Sequence, residues 1–192
     1  MHFKPATFFA IITFAASAAA HGNVASPSAR SVGTAMSNVC GTVVSGLLKS
    51  DINTNQQQLE QNSGQSGGGF TDECLLFQCK GTQFEDNSAN VHSFSQGQTI
   101  DFQVNIVAPH TGVANVSVID LKSNSVIAGP LISWTNYASN SQAIPANNTH
   151  FSVTLPTTLG SACETAGNCA LQWWWDARNI DQTYMACVDF TA

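Results

Sequence analysis

Apolar and polar residues alternate with a period of two along much of the chain, whereas the period of about 3.6 that indicates amphipathic helices is scarce. The alternation is most regular in TIDFQVNI, residues Thr99–Ile106. Clusters of turn-forming residues separate such segments, and β-branched and aromatic residues are enriched within them, so each segment is predicted to be a half-buried strand. The predicted strands are 99–106, 113–119, 151–155, 170–175 and 184–190. Their regular spacing predicts an all-β fold, an antiparallel β-sandwich.

The stretch from Gly41 to Ser88 lacks this alternation. It contains amide-rich and glycine-rich runs at 53–58 and 63–69, and a short helix is predicted only around Val43–Lys49. A long loop in a compact domain is usually functional or mobile. We therefore expect a long loop insertion that Cys40, Cys74 and Cys79 fasten to the sandwich.

The first twenty residues have the pattern of a secretory signal peptide. Lys4 precedes an apolar run from Phe8 to Phe14, and small residues lead to Ala18-Ala19-Ala20, an A-x-A-type cleavage site. Residues 1–20 are therefore predicted to be removed, which leaves 21–192 as a single secreted domain that begins with His21. No second apolar run approaches the ~20 residues of a membrane span, so no membrane partner is expected.

The charge balance excludes some classes of partner. The chain has 6 basic and 12 acidic residues, a net charge of −6, and loss of Lys4 with the leader makes the mature chain more acidic still. This balance argues against nucleic acid or an anionic membrane as a partner. Charged residues are only 9% of the chain, and a neutral surface rich in hydroxyl and amide groups suits contact with uncharged polymers. Asn115 and Asn147 begin N-glycosylation sequons, which predicts that both lie at the surface.

All six cysteines lie after the leader, and an even number in a secreted chain indicates disulfides. A Cys163–Cys169 bridge would close a short local loop. Cys187 is expected to reach back to one of the three early cysteines, and the sequence leaves open which one. A zinc site is the alternative, but no C-x-x-C pair supports it.

His21 is the first candidate for chemistry. As an N-terminal residue it offers an α-amine and the imidazole Nδ1 together, and one more imidazole would complete a set of three nitrogens that suits Cu(II). That imidazole must come from His92, His110 or His150. His110 is favoured because it lies in a tight connection between two predicted strands, where a rigid scaffold presents ligands. His92 and His150 are interpreted as surface histidines.

Tyr184 and Gln182 are the candidates for a fourth group. If Tyr184 faces inward on the last predicted strand, its phenol stands near the metal axis at long range. Gln182, two residues earlier, faces the same side of the strand and could reach the same site as an amide donor. The alternative for Tyr184 is packing in the core with its hydroxyl satisfied. Trp134 and Tyr137 either form a stacking surface for a polymer or pack inside the protein, and packing is the favoured interpretation.

Four motifs in this order resemble the lytic polysaccharide monooxygenases. The run HGNVASPSAR from His21 to Arg30 resembles the mature start HG-x-V-x-SP-x-x-R of the chitin- and cellulose-active bacterial type. Residues 108–110 resemble the A-x-H that carries the second copper-binding histidine, and Trp175-Asp176 resembles a W-D pair placed eight residues before the axial aromatic residue. The run from Gln182 to Cys187 resembles the Q-x-Y-x-x-C of the fungal cellulose-active enzymes, and the whole chain also resembles the fungal auxiliary-activity family sixteen.

The resemblance implies an immunoglobulin- or fibronectin-III-like sandwich with a copper-binding histidine brace. His21 would give its amine and Nδ1, His110 would give Nε2, Tyr184 would be axial, and Gln182 would hydrogen-bond near the distal oxygen position. Two departures matter: the bacterial type usually has Phe at the axial position, and the further histidine of the fungal type is absent. Asp176 occupies a comparable strand position instead.

The implied function is oxidative cleavage of an insoluble polysaccharide, with cellulose the first choice and chitin the next. The implied partners are one copper ion per chain, an external electron donor and H2O2 or O2, and the chain is expected to be a monomer. One alternative is a non-catalytic copper-binding protein. Such relatives tend to have a carboxylate near the metal, so Gln182 and Tyr184 argue against this alternative, whereas Asp176 keeps it open. Another is a polysaccharide-binding module in which the brace is incidental.

Overall fold

A computed structural model describes residues 21–65 and 69–192, so the predicted signal peptide lies outside the described residues. Two β-sheets form the body of the structure, and helices lie mainly in the long insertion after the first strand. The strands are β1 His21–Ser26, β2 His92–Ser93, β3 Thr99–Ala108, β4 Gly112–Asp120, β5 Ser125–Tyr137, β6 His150–Thr154, β7 Cys169–Ala177 and β8 Gln182–Thr191. The helices are α1 Thr34–Ser50, α2 Gln56–Gln61 and α3 Ala146–Thr149.

The sheets have three and five strands, in the orders β1-β3-β6 and β2-β8-β7-β4-β5. Every strand pair is antiparallel except β2 with β8, which are parallel. The predicted antiparallel β-sandwich is therefore confirmed. The five predicted strands are present as β3, β4, β6, β7 and β8, whereas β1, β2 and β5 were not predicted.

The main core lies between the two sheets and follows from the alternation. Alternate residues of β3, among them Phe102 and Val104, are buried, and so are Trp173 and Trp175 of β7. Together with the inward face of β8 they form one apolar cluster. Burial of apolar area at roughly 25 cal/mol per Å² makes this cluster the main stabilising contribution to the sandwich.

The insertion is more helical than predicted. The helix expected around Val43–Lys49 is correct in place but too short, because α1 extends over Thr34–Ser50. Gly41, with φ of +77°, produces a kink within it. One side of α1 is fully buried and packs with Leu59 of α2 in a second apolar cluster. The insertion is thus a small helical layer with its own core and not a long loop.

Three disulfides fasten this arrangement: Cys40–Cys74, Cys79–Cys187 and Cys163–Cys169. The local bridge was predicted, and the partner of Cys187 proves to be Cys79. The Cys79–Cys187 bridge ties the insertion to β8. No free cysteine exists among the described residues, so the alternative of a zinc site is wrong.

Arg30, the last residue of the N-terminal motif, has a structural role. Its guanidinium makes two hydrogen bonds to the carboxylate of Asp189, at 2.6 and 2.7 Å, and a third to the carbonyl of Thr82. Both Arg30 and Asp189 are buried. A bidentate pair of this kind fixes geometry as well as charge, so it anchors the segment after β1 against β8.

The two glycosylation sequons differ in placement. Asn147 is exposed in α3, as predicted. Asn115 is only half-buried in the middle of β4, and its Oδ1 accepts a hydrogen bond from the hydroxyl of buried Ser117. Within residues 21–65 and 69–192, no helix is long and apolar enough to cross a membrane.

Candidate metal site

The pairing of β1 with β3 brings the two candidate ligands to one end of the smaller sheet. His21 pairs with Ala108, the last residue of β3, and the ladder shifts register between His21 and Gly22. His110 follows two residues later, in the connection between β3 and β4. The predicted position of His110 in a tight connection at the edge of the sandwich is thus observed.

Two glycines allow the chain to pack closely against β7 at this end of the sandwich. A Cβ on Gly22 would lie 3.2 Å from the ring of Trp175, so the residue after His21 packs tightly on β7. A Cβ on Gly112 would overlap the carbonyl oxygen of Asp176, which excludes any larger residue without movement of the backbone. These close approaches explain a glycine next to His21 and another just after His110.

Tyr184 is fully buried, and its ring stacks on that of Trp175 with a centroid distance of 4.6 Å. The two residues are direct partners across β7 and β8, which accounts for the fixed spacing between the W-D pair and the tyrosine. The hydroxyl of Tyr184 donates a hydrogen bond of 2.5 Å to Oε1 of Gln182. Burial raises the pKa of the Tyr184 phenol above its usual range, and the nearby Asp51 carboxylate raises it further. The phenol is therefore neutral at physiological pH.

Asp51 is the site residue that the sequence analysis missed. Its Oδ2 lies 2.7 Å from Nδ1 of His21. Its Oδ1 accepts hydrogen bonds from the backbone and side-chain nitrogens of Asn53. Partial burial pushes the pKa of Asp51 upward, but the bonds from Asn53 and the charge of the His21 imidazole together hold it below its usual value. The carboxylate is therefore ionised beside the first histidine.

Lys80 holds the segment that carries Asp51. Its Nζ donates to the carbonyls of Ile52, at 2.5 Å, and Thr54, at 3.3 Å. The side chain is almost fully buried. Burial lowers the pKa of Lys80 to about 7, against the opposing influence of the Asp51 carboxylate. The chain direction after α1 is thus fixed by a buried amine.

Gln57 fixes α2 to the start of β8. Its Oε1 accepts from the backbone nitrogen of Thr183 at 2.7 Å, and its Nε2 donates to the Thr183 hydroxyl at 2.9 Å. Thr183 lies between Gln182 and Tyr184, so the position of these two side chains depends on the helical insertion. No pattern in the sequence indicated this contact.

Two of the three histidines considered with His21 lie elsewhere. His92 pairs with Phe190, near the far end of β8, and its Nε2 contacts Ser28. His150 pairs with Gln103, which lies five residues before Ala108 on β3, or about 17 Å along the strand. Neither residue is at the end of the sheet that carries His21.

Asp176 does not reach the site as a free carboxylate. Its Oδ2 accepts two hydrogen bonds from the guanidinium of Arg178, and the carboxyl is buried.

The favoured interpretation of Trp134 and Tyr137 as packing residues agrees with the structure. Tyr137 is fully buried and donates to the carbonyl of Asn148, and Trp134 packs edge-on against Phe151.

The available donors fit a copper site of two imidazoles and an amine. Nδ1 of His110 is buried and has no hydrogen-bond partner among the described residues. Nε2 of the same ring is not among the buried atoms without a partner. In the part of the chain that the structure describes, no three His, Cys, Asp or Glu side chains form a metal-binding group. A third nitrogen at this site would therefore have to come from the main chain, and the α-amine of a processed His21 is such a donor.

The comparison with protein families decides the identity. The model of the family described as "Lytic polysaccharide mono-oxygenase, cellulose-degrading" matches residues 21–190. The chain belongs to this family. Lytic polysaccharide monooxygenases (LPMOs) are copper-dependent enzymes that act on insoluble polysaccharides with an external reductant. The resemblance inferred from the motifs is thus confirmed.

One solved LPMO structure shares the fold at low sequence identity, and two others match with lower scores. An AA10 LPMO from Streptomyces lividans is 15% identical with a TM-score of 0.52, and the match covers 90% of this chain and 100% of that one. The cellulose-active LPMO CelS2 in complex with copper is 17% identical, covering 89% and 98% of the two chains, with a TM-score of 0.43. The AA15 LPMO from Thermobia domestica in the Cu(I) state is 19% identical, covering 88% and 97%, with a TM-score of 0.43. No curated protein matches this chain.

Proposed function

We propose that residues 21–192 form a secreted, monomeric LPMO that cleaves the glycosidic bonds of cellulose, with chitin as the second choice of substrate. The observation that carries this proposal is the placement of His21 opposite the end of β3, with His110 two residues beyond it. The buried Tyr184 and the ionised Asp51 border the same place.

The proposed ligands are the α-amine and Nδ1 of His21 and Nε2 of His110. Nitrogen donors in a tetragonal arrangement suit Cu(II), and the metal would supply the one-electron and oxygen chemistry that side chains lack. A C–H bond of the glycan at C1 or C4 becomes C–OH. The C–O bond between that carbon and the glycosidic oxygen then breaks, and the hydroxyl proton passes to the departing oxygen. With H2O2 the other product is water, whereas with O2 the donor must also supply two electrons and two protons.

The surrounding residues orient groups and hold protons. The phenol of Tyr184 stays protonated and donates to Oε1 of Gln182, which fixes the orientation of the Gln182 amide. The NH2 group of Gln182 then points away from the tyrosine and can donate a hydrogen bond to substrate or oxygen. Trp175, stacked on Tyr184, keeps water from one side of the phenol.

One observation favours a second candidate function, a non-catalytic extracellular copper-binding protein. Asp51 places an anionic oxygen within 2.7 Å of the nitrogen that the brace requires from His21. An ionised carboxylate beside that nitrogen would stabilise bound Cu(II) through its charge, and the non-catalytic relatives noted from the sequence tend to have a carboxylate near the metal. Asp176, the carboxylate considered for this role from the sequence, is paired with Arg178.

A single experiment separates the two functions. Processed, copper-loaded protein is incubated with ascorbate and either phosphoric-acid-swollen cellulose or chitin, and the soluble products are analysed by mass spectrometry. The enzyme should release oxidised oligosaccharides, and His110→Ala should release none. Copper binding without oxidised products from either polymer would favour the non-catalytic function. Binding to a polymer with no dependence on copper would favour a polysaccharide-binding module.

A further inference from the structure

A groove beside the candidate metal site is lined almost entirely by amide side chains. It has a volume of about 390 Å³ and lies between α2 with its flanking residues and the turn that precedes β8. Gln182 forms part of the wall and also contacts Tyr184. The groove therefore continues directly from the site proposed for the chemistry.

Two of the lining amides are free to bind a ligand. Gln58 and Gln61 are exposed and three residues apart on α2, so they lie on the same side of the helix. Neither side chain has a hydrogen-bond partner among the residues that the structure describes. Each amide can donate and accept at once, which matches the neighbouring hydroxyl groups of a sugar.

The helix that presents these amides is held rigidly. Leu59 is fully buried in the apolar cluster of the insertion, and Asn55 caps the helix by accepting from the backbone nitrogen of Gln58. Gln57 makes its two hydrogen bonds to Thr183 on the other wall of the groove. The backbone that carries these amides is therefore pre-organised, so that binding a ligand has to order only the side chains.

The remaining lining limits the chemistry of the ligand. Ile180 is 39% exposed and offers an apolar contact for the C–H face of a pyranose ring. Among the described residues of the wall, Asp181 is the only ionisable one. Its carboxylate favours hydroxyl donors and disfavours an anionic polymer, and none of the described lining residues is basic.

We propose that this groove binds the neutral polysaccharide chain next to its cleavage site, through Gln58, Gln61 and Gln182, with Ile180 under one sugar ring. The proposal rests on the proposed function, because it assigns a substrate subsite to that enzyme. The groove differs from a flat surface on which sugar rings stack on aromatic side chains. Phe77 is the only exposed large aromatic residue among those described, and it lines another cavity.

The test measures binding without reductant, so that no cleavage occurs. Processed, copper-loaded protein is incubated with microcrystalline cellulose, chitin and cross-linked polygalacturonate, and the unbound fraction is quantified. The double variant Gln58→Ala/Gln61→Ala should bind the neutral polymer about tenfold more weakly, as expected for the loss of a few net hydrogen bonds. The cellulose and chitin arms show which neutral polymer is bound, and polygalacturonate should bind less than either.

Gln103→Ala is the matched control, since Gln103 is an exposed amide of β3 that lines a different cavity. The Cu(II) EPR spectrum and the circular dichroism melt of the double variant should equal those of the parent, because alanine is compatible with the helix. Equal binding by the double variant and Gln103→Ala would overturn the proposal, and so would no binding to either neutral polymer or equal binding to polygalacturonate. A parent that binds cellulose but yields no oxidised sugar would instead contradict the proposed function, but not the proposal that the groove binds polysaccharide.

Discussion

Nδ1 of His21 donates a hydrogen bond to Oδ2 of Asp51 across 2.7 Å. The proposed copper site needs the same nitrogen, and one nitrogen cannot serve both partners. Copper bound at this nitrogen would therefore displace the hydrogen bond and leave the ionised Asp51 carboxylate close to the metal. Asp51 is then a charged neighbour of the copper that the motifs of the family did not indicate.

The first prediction concerns that charge. Asp51→Asn keeps the shape of the side chain but removes an anion near a divalent cation, so Cu(II) affinity should fall by at least about fivefold, which corresponds to the attraction of about 1 kcal/mol between two unit charges 4 Å apart in a medium as polar as water. The EPR parameters should shift as well. Affinity is measured by calorimetry against a chelator of known strength.

Asp101→Asn serves as the control, because Asp101 is an exposed carboxylate of β3 that hydrogen-bonds to Ser152. If Asp51→Asn and Asp101→Asn give the same spectrum and affinity, Asp51 has no influence on the metal.

The second prediction tests the assignment of His110. His110→Ala removes one of three nitrogens and should reduce copper affinity by more than the ~10–100-fold effect of removing a residue that only hydrogen-bonds to a ligand. His92→Ala and His150→Ala should leave copper affinity unchanged, since these residues lie away from His21. A comparable loss in His92→Ala would contradict the assignment.

The strands were predictable from local pattern because their burial alternates with the pleat. The same reasoning missed β5, which is an edge strand with both faces partly open. Val126 and Ile127 are adjacent and are 59% and 40% exposed, so no alternation marks the start of the strand. Pro130 also lies within it, and proline is tolerated at a sheet edge but argues against a strand in a sequence.

The apolar residues of helix α1 have helical spacing in the sequence. Met36, Cys40, Val44 and Leu48 recur every fourth residue, and all four are fully buried. Gly41 and the surrounding Ser and Thr residues obscure this pattern, because they have low helix propensity and favour turns. The length of the helix is therefore determined by packing in the insertion and not by local preference.

The candidate site also contains residues that the sequence reveals and one that only the tertiary structure reveals. His21, His110, Gln182 and Tyr184 could be identified because each belongs to a short motif. Asp51 could not, since its contact with His21 depends on where α1 ends and on the anchoring of the next residues by Lys80. Contacts of this kind arise from tertiary structure and leave no local pattern in the sequence.

The third prediction uses the buried amine of Lys80. Burial lowers its pKa from 10.5 to about 7, so between these values the unfolded chain binds more protons at this residue than the folded chain. The free energy of unfolding should therefore rise with pH across this window. Urea midpoints at pH 7 and pH 9 measure this change for the parent.

Lys80→Met has no titrating amine at this position, so its stability should increase less between the two pH values, whatever its absolute stability. Parallel pH dependence in the parent and Lys80→Met would show that the amine is not protonated differently in the two states.

The fourth prediction concerns the pair formed by Tyr184 and Gln182. Tyr184→Phe keeps the stacking on Trp175 but loses the hydrogen bond to Gln182, so copper should stay bound and the EPR spectrum should change modestly. Gln182→Ala should lower turnover more than copper affinity. Because the two residues share one hydrogen bond, the double variant should lose less turnover than the product of the single losses. Strict additivity would show that they act independently, and full activity in Gln182→Ala would remove Gln182 from the mechanism.

The last prediction concerns the amine of His21, which is a ligand only if no residue precedes it. A single Gly ahead of His21 converts the amine into a peptide amide, a poor ligand unless it is deprotonated. All side chains remain, and the first strand still pairs with Ala108, so the copper-free melting temperature should stay within about 2 °C of the processed protein, less than the shift that 1 kcal/mol causes. Copper affinity should nevertheless fall strongly, and oxidised products should almost disappear. Calorimetry measures the copper affinity of the two forms, and product analysis measures their activity. A Gly22→Ala variant is unsuitable as a control, because Gly22 packs against Trp175. A Gly added after Ala192 is the better control, since it leaves the amine free. Equal activity in the N-terminally extended and processed proteins would show that the α-amine is not a copper ligand and that the histidine brace is wrong.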